Sequence, residues 1–206
     1  LAAEAVGVIV RAGRLAGVSL APSPGLAACP PWARAVDGPT DLLAPAAVVT
    51  AGTFLNGLLH RGERNWTGGR IGEPAAAPLS ESLRACGVAL DRLKTGTCPR
   101  LAAETIDYDR CTRQDGDDPP VPFSFLTGRL DVAQVPCWIT HTTPGVHRLV
   151  RDNLHRAPMY SGQITSTGPR YCPSFETKIV RFPDKESHQL FLEPEGRRTN
   201  WVYCNG

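Results

Sequence analysis

The chain has 206 residues, of which 42% are hydrophobic and 20% charged, with a net charge of +2. That length holds one large domain, or one domain and part of another, and the recurring apolar runs exclude disorder throughout. So small a net charge does not mark a nucleic-acid binder, because electrostatic binding needs cations gathered on one face.

The seven cysteines form no CxxC pair. Neither a disulfide framework nor a zinc site is signalled, no metal site is expected, and a reducing, cytosol-like compartment fits best. No apolar run approaches the roughly 20 residues of a membrane-spanning helix. The chain opens on Leu1 rather than Met, so the expectation is a stretch of a longer chain.

Val6 to Leu20 has the pattern of a hairpin, with β-branched Val6 to Val10, a turn at Ala12-Gly13-Arg14 and apolar Leu15 to Leu20. The stretch 21–45 is dominated by Pro, Gly and Ala, as in Cys29-Pro30-Pro31-Trp32, and is expected to be an extended loop. Ala46 to Gly52 then predicts a short strand, apolar on both faces, of the kind found in parallel α/β sheets. The Gly- and Arg-rich run from Thr53 to Gly72 predicts a loop over a ligand.

Leu79 to Cys86 has helical rhythm, with Ser80 as the expected N-cap and Gly87 as the stop. Val88 to Leu93 predicts a strand, and 113–122 a polar loop. Val135 to Thr142 alternates like a strand, and His147 to Leu154 predicts a short helix. Ile179 to Phe182 and Gln189 to Leu192 are expected to be strands joined by the charged turn Pro183-Asp184-Lys185-Glu186.

Three constellations can carry chemistry. The first is Thr50-Ala51-Gly52-Thr53 with Gly68-Gly69-Arg70-Ile71-Gly72, where glycine lets backbone N–H groups approach a pyrophosphate. Its plain alternative is a tight turn. The second is Arg92-Leu93-Lys94-Thr95-Gly96-Thr97-Cys98-Pro99-Arg100. On a strand, Arg92 and Lys94 would share a face able to hold a phosphate or a nucleic-acid backbone. A solvated basic edge is the alternative. The third is Gly168-Pro169-Arg170-Tyr171-Cys172-Pro173-Ser174. An arginine near a thiol favours thiolate, which makes Cys172 a candidate nucleophile, and Tyr171 could stack on a base or flavin. The alternative is an inert, buried cysteine. The five histidines are scattered. His141, at a strand end, fits a structural hydrogen bond as well as a functional role.

Taken together, these strings resemble the MnmG/GidA family. The matching run begins with Val48-Val49-Thr50-Ala51-Gly52-Thr53-Phe54-Leu55-Asn56-Gly57. It continues through Gly68-Gly69-Arg70, Arg92 to Thr97, Pro122-Phe123-Ser124-Phe125, Ile139-Thr140-His141-Thr142, Gly168 to Ser174 and Leu192-Glu193-Pro194-Glu195-Gly196. The strings fall in the family's order over most of the chain.

The resemblance implies an α/β fold, part of a Rossmann-type FAD-binding domain with a second α/β domain inserted into it. Residues 1–75 would belong to the FAD domain and 76–185 to the insertion. The nicotinamide-nucleotide stretch would be 168–182, with 186–206 returning toward the FAD domain. It implies a flavoenzyme that adds an aminomethyl or carboxymethylaminomethyl group to C5 of the tRNA wobble uridine. The one-carbon unit would come from methylene-tetrahydrofolate and the electrons from NADH. Expected partners are tRNA, an MnmE-type GTPase and a second copy of the chain, with no membrane. The setting would be the bacterial cytoplasm, or the mitochondrion of a eukaryote.

On this reading Thr50, Ala51, Gly52, Thr53, Gly68, Gly69, Arg70, Gly72 and Ala76 approach FAD. Gly168, Pro169, Arg170, Tyr171, Pro173, Ser174 and Phe182 serve the nucleotide sites, and Cys172 matches a functionally important cysteine of the family. Arg92, Lys94 and Arg100 contact flavin or the tRNA backbone.

The chain departs from the family pattern in lacking a GxGxxG fingerprint. Cys98 stands where proline is usual, Ala76 where serine is common, and the 21–45 stretch is long. These departures imply an internal fragment without catalysis of its own. The competing expectations are a non-catalytic remnant, or a folate- and FAD-dependent tRNA uridine methyltransferase.

Overall fold

The computed structural model describes residues 1–23, 33–168 and 174–206. These residues form a mixed α/β structure that divides by its own contacts into two units, Leu1–Arg92 and Leu93–Gly206.

The first unit begins with the predicted hairpin, β1 (Glu4–Arg11) against β2 (Arg14–Ala21). Ala12 and Gly13, at φ 49° and 75°, make the two-residue turn. Two successive left-handed residues match the natural twist of the strands they join. β3 (Thr40–Leu43) pairs with the other side of β2, from Gly17↔Leu43 to Leu20↔Thr40. It lies inside the stretch expected to be loop.

α1 (Ala77–Ala85) packs on β1. There the Val8 N–H donates to Ser82 Oγ at 2.9 Å, which satisfies an outward amide of an edge strand. The helix starts earlier than expected. Pro78 sits in its first turn, where a missing N–H costs nothing, and no side chain caps it. Ser80 is instead buried within the helix, beside Leu79. Gly87, at φ 84°, ends the helix as predicted.

Two expected strands are absent. Residues 46–52 carry no strand pairing, and Val48 and Val49 are exposed. A doubly apolar strand is held by neighbours on both sides, and no described strand lies beside this one. Residues 88–93 also form no strand, so alternation cannot place Arg92 and Lys94 on one face. The Thr53 to Gly72 run, in contrast, contains a hairpin, β4 (Leu58–Arg61) with β5 (Arg64–Thr67).

The second unit is a five-stranded antiparallel sheet. Its strands are β6 (Arg100–Ala102), β7 (Thr112–Gln114), β8 (Cys137–His141), β9 (Gln189–Pro194) and β10 (Trp201–Asn205), in the order β6-β10-β9-β8-β7. α2 (Pro144–Asp152) is capped by the Thr143 hydroxyl, which accepts from the Val146 N–H.

α3 (Phe175–Arg181) contacts α2 and covers part of the segment expected to be a strand over 179–182. The β-branched pair Ile179-Val180 suggested a strand. The Ser174 cap and the i,i+4 spacing of Phe175 and Ile179 favour a helix instead. Ile179 is fully buried, and with Leu192 and Val202 it makes this unit's core. Between β7 and β8 a long irregular stretch leaves Phe123, Phe125 and Leu126 fully exposed.

Candidate functional site

In the first unit the loops 50–57 and 68–76 form one knot. The Thr53 hydroxyl donates to the Gly69 carbonyl at 2.7 Å. The Gly68 N–H donates to the Gly57 carbonyl at 3.1 Å, and the Ala76 N–H donates to the Phe54 carbonyl at 2.8 Å. Gly69 has no side chain because the Phe54 ring occupies that space: a Cβ there would lie 2.0 Å from Phe54 Cδ1. Arg70 pairs with Glu73 across the turn, and Gly72 takes φ 82° at its tip. Thr53, Gly68, Gly69, Arg70 and Ala76 are therefore brought together, with Thr50, Ala51 and Gly52 leading in.

The amides of Gly68 and Gly69 are committed to protein. The Gly69 N–H is shared between the carbonyls of Glu73 and Pro74, both at 3.3 Å. These two glycines give close packing and offer no N–H to an anion. The amides of Gly52 and Thr53 donate to no backbone acceptor among the described residues. That portion of the expected cradle retains its donors.

The basic stretch divides among different environments. Arg92 lies near His60, whose pKa is lowered by burial and then by the Arg92 cation. The Lys94 N–H donates to the Thr167 carbonyl at 3.1 Å, which brings Lys94 beside Gly168. Arg100 is tied up internally. Its guanidinium reaches Glu195 Oε1 at 2.7 Å, Thr97 Oγ1 at 2.7 Å and the Cys98 carbonyl at 3.0 Å. It also stands 4.7 Å over the Tyr203 ring. It pins the 94–98 segment to β10 rather than offering a donor fork to phosphate.

Pro169, Arg170, Tyr171, Cys172 and Pro173 lie outside the described residues. At the flanks, Gly168 is half-buried, and the Ser174 hydroxyl caps α3 by accepting from the Thr177 N–H at 3.3 Å. Phe182 follows α3. Its ring stands edge-on to His188, and the Lys185 ammonium lies 5.7 Å above it.

Sequence reasoning missed a buried polar cluster in the second unit. Thr142 Oγ1 lies 2.8 Å from His147 Nε2 and accepts from the His188 N–H at 2.8 Å. The His147 and His188 rings stack at 5.2 Å. Thr142 and His188 are 46 residues apart in sequence, so no local pattern betrays their contact. Among the described residues no cluster suits a metal ion, and no helix is long and apolar enough to cross a membrane.

Residues 35–206 match the family model for glucose inhibited division protein A. The chain is 58% identical over 163 residues to the tRNA uridine 5-carboxymethylaminomethyl modification enzyme MnmG of Rhodopirellula baltica, covering 79% of this chain and 25% of that one. The MnmG of Geobacter metallireducens is 53% identical, with 80% and 26% covered. The form I crystal structure of Aquifex aeolicus GidA superposes with a TM-score of 0.78 at 44% identity, covering 98% of this chain and 32% of that one. The chain thus spans about a quarter of the length of the curated relatives it matches.

Proposed function

This chain belongs to the glucose inhibited division protein A family, and on that premise we propose that it is part of a flavin-dependent enzyme that modifies C5 of the tRNA wobble uridine. The observation that carries the reading is its 58% identity, over most of its own length, to a relative named for tRNA uridine 5-carboxymethylaminomethyl modification.

FAD is the cofactor that the Gly52 and Thr53 amides and the knotted 68–76 turn suit, with Gly52, at φ 55°, allowing close approach of backbone to ligand. NADH as reductant and methylene-tetrahydrofolate as one-carbon donor complete the reaction that the family resemblance implies. An MnmE-type GTPase is the partner. Gly168 to Phe182 serves the nicotinamide nucleotide, and Cys172 acts as a nucleophile, its thiolate favoured by Arg170 two residues before it in the sequence. Arg92 and Lys94 contact phosphate. The described cysteines are all free thiols, which suits a reducing cytosol.

A chimera tests this. The matching stretch of the Rhodopirellula baltica enzyme is replaced by residues 35–206 and expressed in bacteria lacking their own enzyme, and wobble nucleosides are measured by mass spectrometry. Restored carboxymethylaminomethyl-type uridine, lost again in Cys172→Ser with flavin still bound, is expected. A flavin-loaded, folded chimera that modifies no uridine overturns the proposal.

A further inference from the structure

Among the described residues, His188 Nε2 is a buried nitrogen with no hydrogen-bond partner. A buried ring nitrogen without a partner is costly whether it carries the proton or not, and a phenylalanine would fill the same space without that cost. The ring packs where three elements meet. His147 of α2 stacks on it at 5.2 Å. Phe175 of α3 stands edge-on at 6.1 Å, and Phe182, at the helix end, at 6.5 Å. The His188 backbone is locked to the end of β8, accepting from the Thr142 N–H at 2.9 Å and donating to its hydroxyl.

The charged and titratable groups that face the ring are His147 from α2, Lys178 from α3 and Lys185 from the following turn. No carboxylate is among them. We propose that His188 is a proton-operated latch on α3: its neutral ring holds α3 and the Phe182–Lys185 turn against the start of β9, and its protonation releases them.

Protonation makes both ring nitrogens donors, so Nε2 becomes a donor without an acceptor, and a cation is placed beside two lysines and a second imidazole. Burial first, and then these neighbours, push the His188 pKa below the usual imidazole value. The folded-state value thus lies beneath the unfolded one. The latch is fully closed above about pH 6.5 and weakens as pH falls from there toward the folded value. α3 is capped by Ser174, the last residue of the Gly168–Ser174 stretch, so the latch governs the helix that follows that stretch. The inference does not depend on the proposed activity.

The test is amide hydrogen exchange on the 206-residue chain at about pH 7.5 and about pH 5.5, corrected for intrinsic rates. Peptides covering Phe175–Arg181 are expected to lose protection on acidification, by up to about tenfold, the limit set by the roughly one pH unit between the unfolded imidazole value of about 6.5 and about pH 5.5. Those covering β1 and β2 are expected to stay unchanged. His188→Phe should make the α3 response flat, and His147→Gln should keep it. A response that survives in His188→Phe, or that disappears in His147→Gln, overturns the latch. Should His188→Phe fail to fold, an NMR titration of the unaltered chain decides. A His188 Cε1–H midpoint below about 6.5 supports the latch, and one at or above that value overturns it.

Discussion

The Thr53 hydroxyl donates to the carbonyl of Gly69 at 2.7 Å. That bond joins the loop after the Val48-Val49 run to the Gly-Gly-Arg turn, and the two loops behave as one piece. With Gly68 and Gly69 bonded inward, the turn shapes a wall, while the donors available to a ligand lie at Gly52 and Thr53.

Gly57 is the tightest point of that knot. A Cβ there would lie 2.4 Å from the Gly68 carbonyl oxygen and 2.4 Å from that of Thr53. Both are backbone atoms and cannot swing aside. Gly57→Ala is expected to cost about 1–3 kcal/mol or more, as for overpacking. Gly38→Ala, whose Cβ would meet nothing within 4 Å, should stay within about 0.5 kcal/mol. Urea unfolding midpoints compare the two, and equal midpoints would contradict the knot.

How much of this was legible depended on how local the cause is. The β1–β2 turn is set by Ala12 and Gly13 themselves, and β8, α2 and β9 by short local runs, so the sequence predicted them, although α2 starts at Pro144, ahead of the expected His147, because the Thr143 cap was not read. The 46–52 strand failed because its apolar faces say only that it can be covered, and no described strand covers it. α3 was misjudged because Ile179-Val180 outweighed a cap five residues earlier. The Arg100 network and the Thr142–His147–His188 cluster join residues far apart in the chain, where spacing carries no signal. The described residues put Lys94 beside Gly168, a meeting that the two separate motifs did not suggest.

Arg100, Arg92 and Lys94 should part company when tRNA binding is measured against salt. Withdrawing one cation from a phosphate lowers the slope of log K against log salt by about one. Arg92→Gln and Lys94→Gln are expected to do so. Arg100→Gln should leave the slope unchanged and lower the stability of the second unit by about 1 kcal/mol, because its partners are Glu195, Thr97 and Tyr203. A slope reduced by Arg100→Gln alone would return that residue to the nucleic-acid interface.

Thiol reactivity follows burial. The Cys137 pKa is raised by burial and then by Glu193, and that of Cys204 by burial and then by Cys98. A raised pKa leaves less thiolate at about pH 8, so alkylation slows by about tenfold per unit. Exposed Cys86 should be labelled by iodoacetamide well before either. Peptide mass spectrometry over time gives the order, and early labelling of Cys204 would contradict it.

Ser174 was expected to serve a nucleotide, and its hydroxyl is found capping α3, 3.3 Å from the Thr177 N–H and 3.0 Å from the Thr177 hydroxyl. The two roles make opposite predictions for a carboxylate. An aspartate accepts from the same N–H and favours the positive end of the helix, so a cap tolerates Ser174→Asp while a phosphate contact does not. Ser174→Ala is expected to lower stability by about 1 kcal/mol and Ser174→Asp to restore it. If NADH affinity, measured on the flavin-loaded chimera, also survives in Ser174→Asp, the hydroxyl acts through the helix. If affinity falls while stability holds, charge repulsion at a bound phosphate is the remaining cause, and Ser174 belongs to the nucleotide site directly.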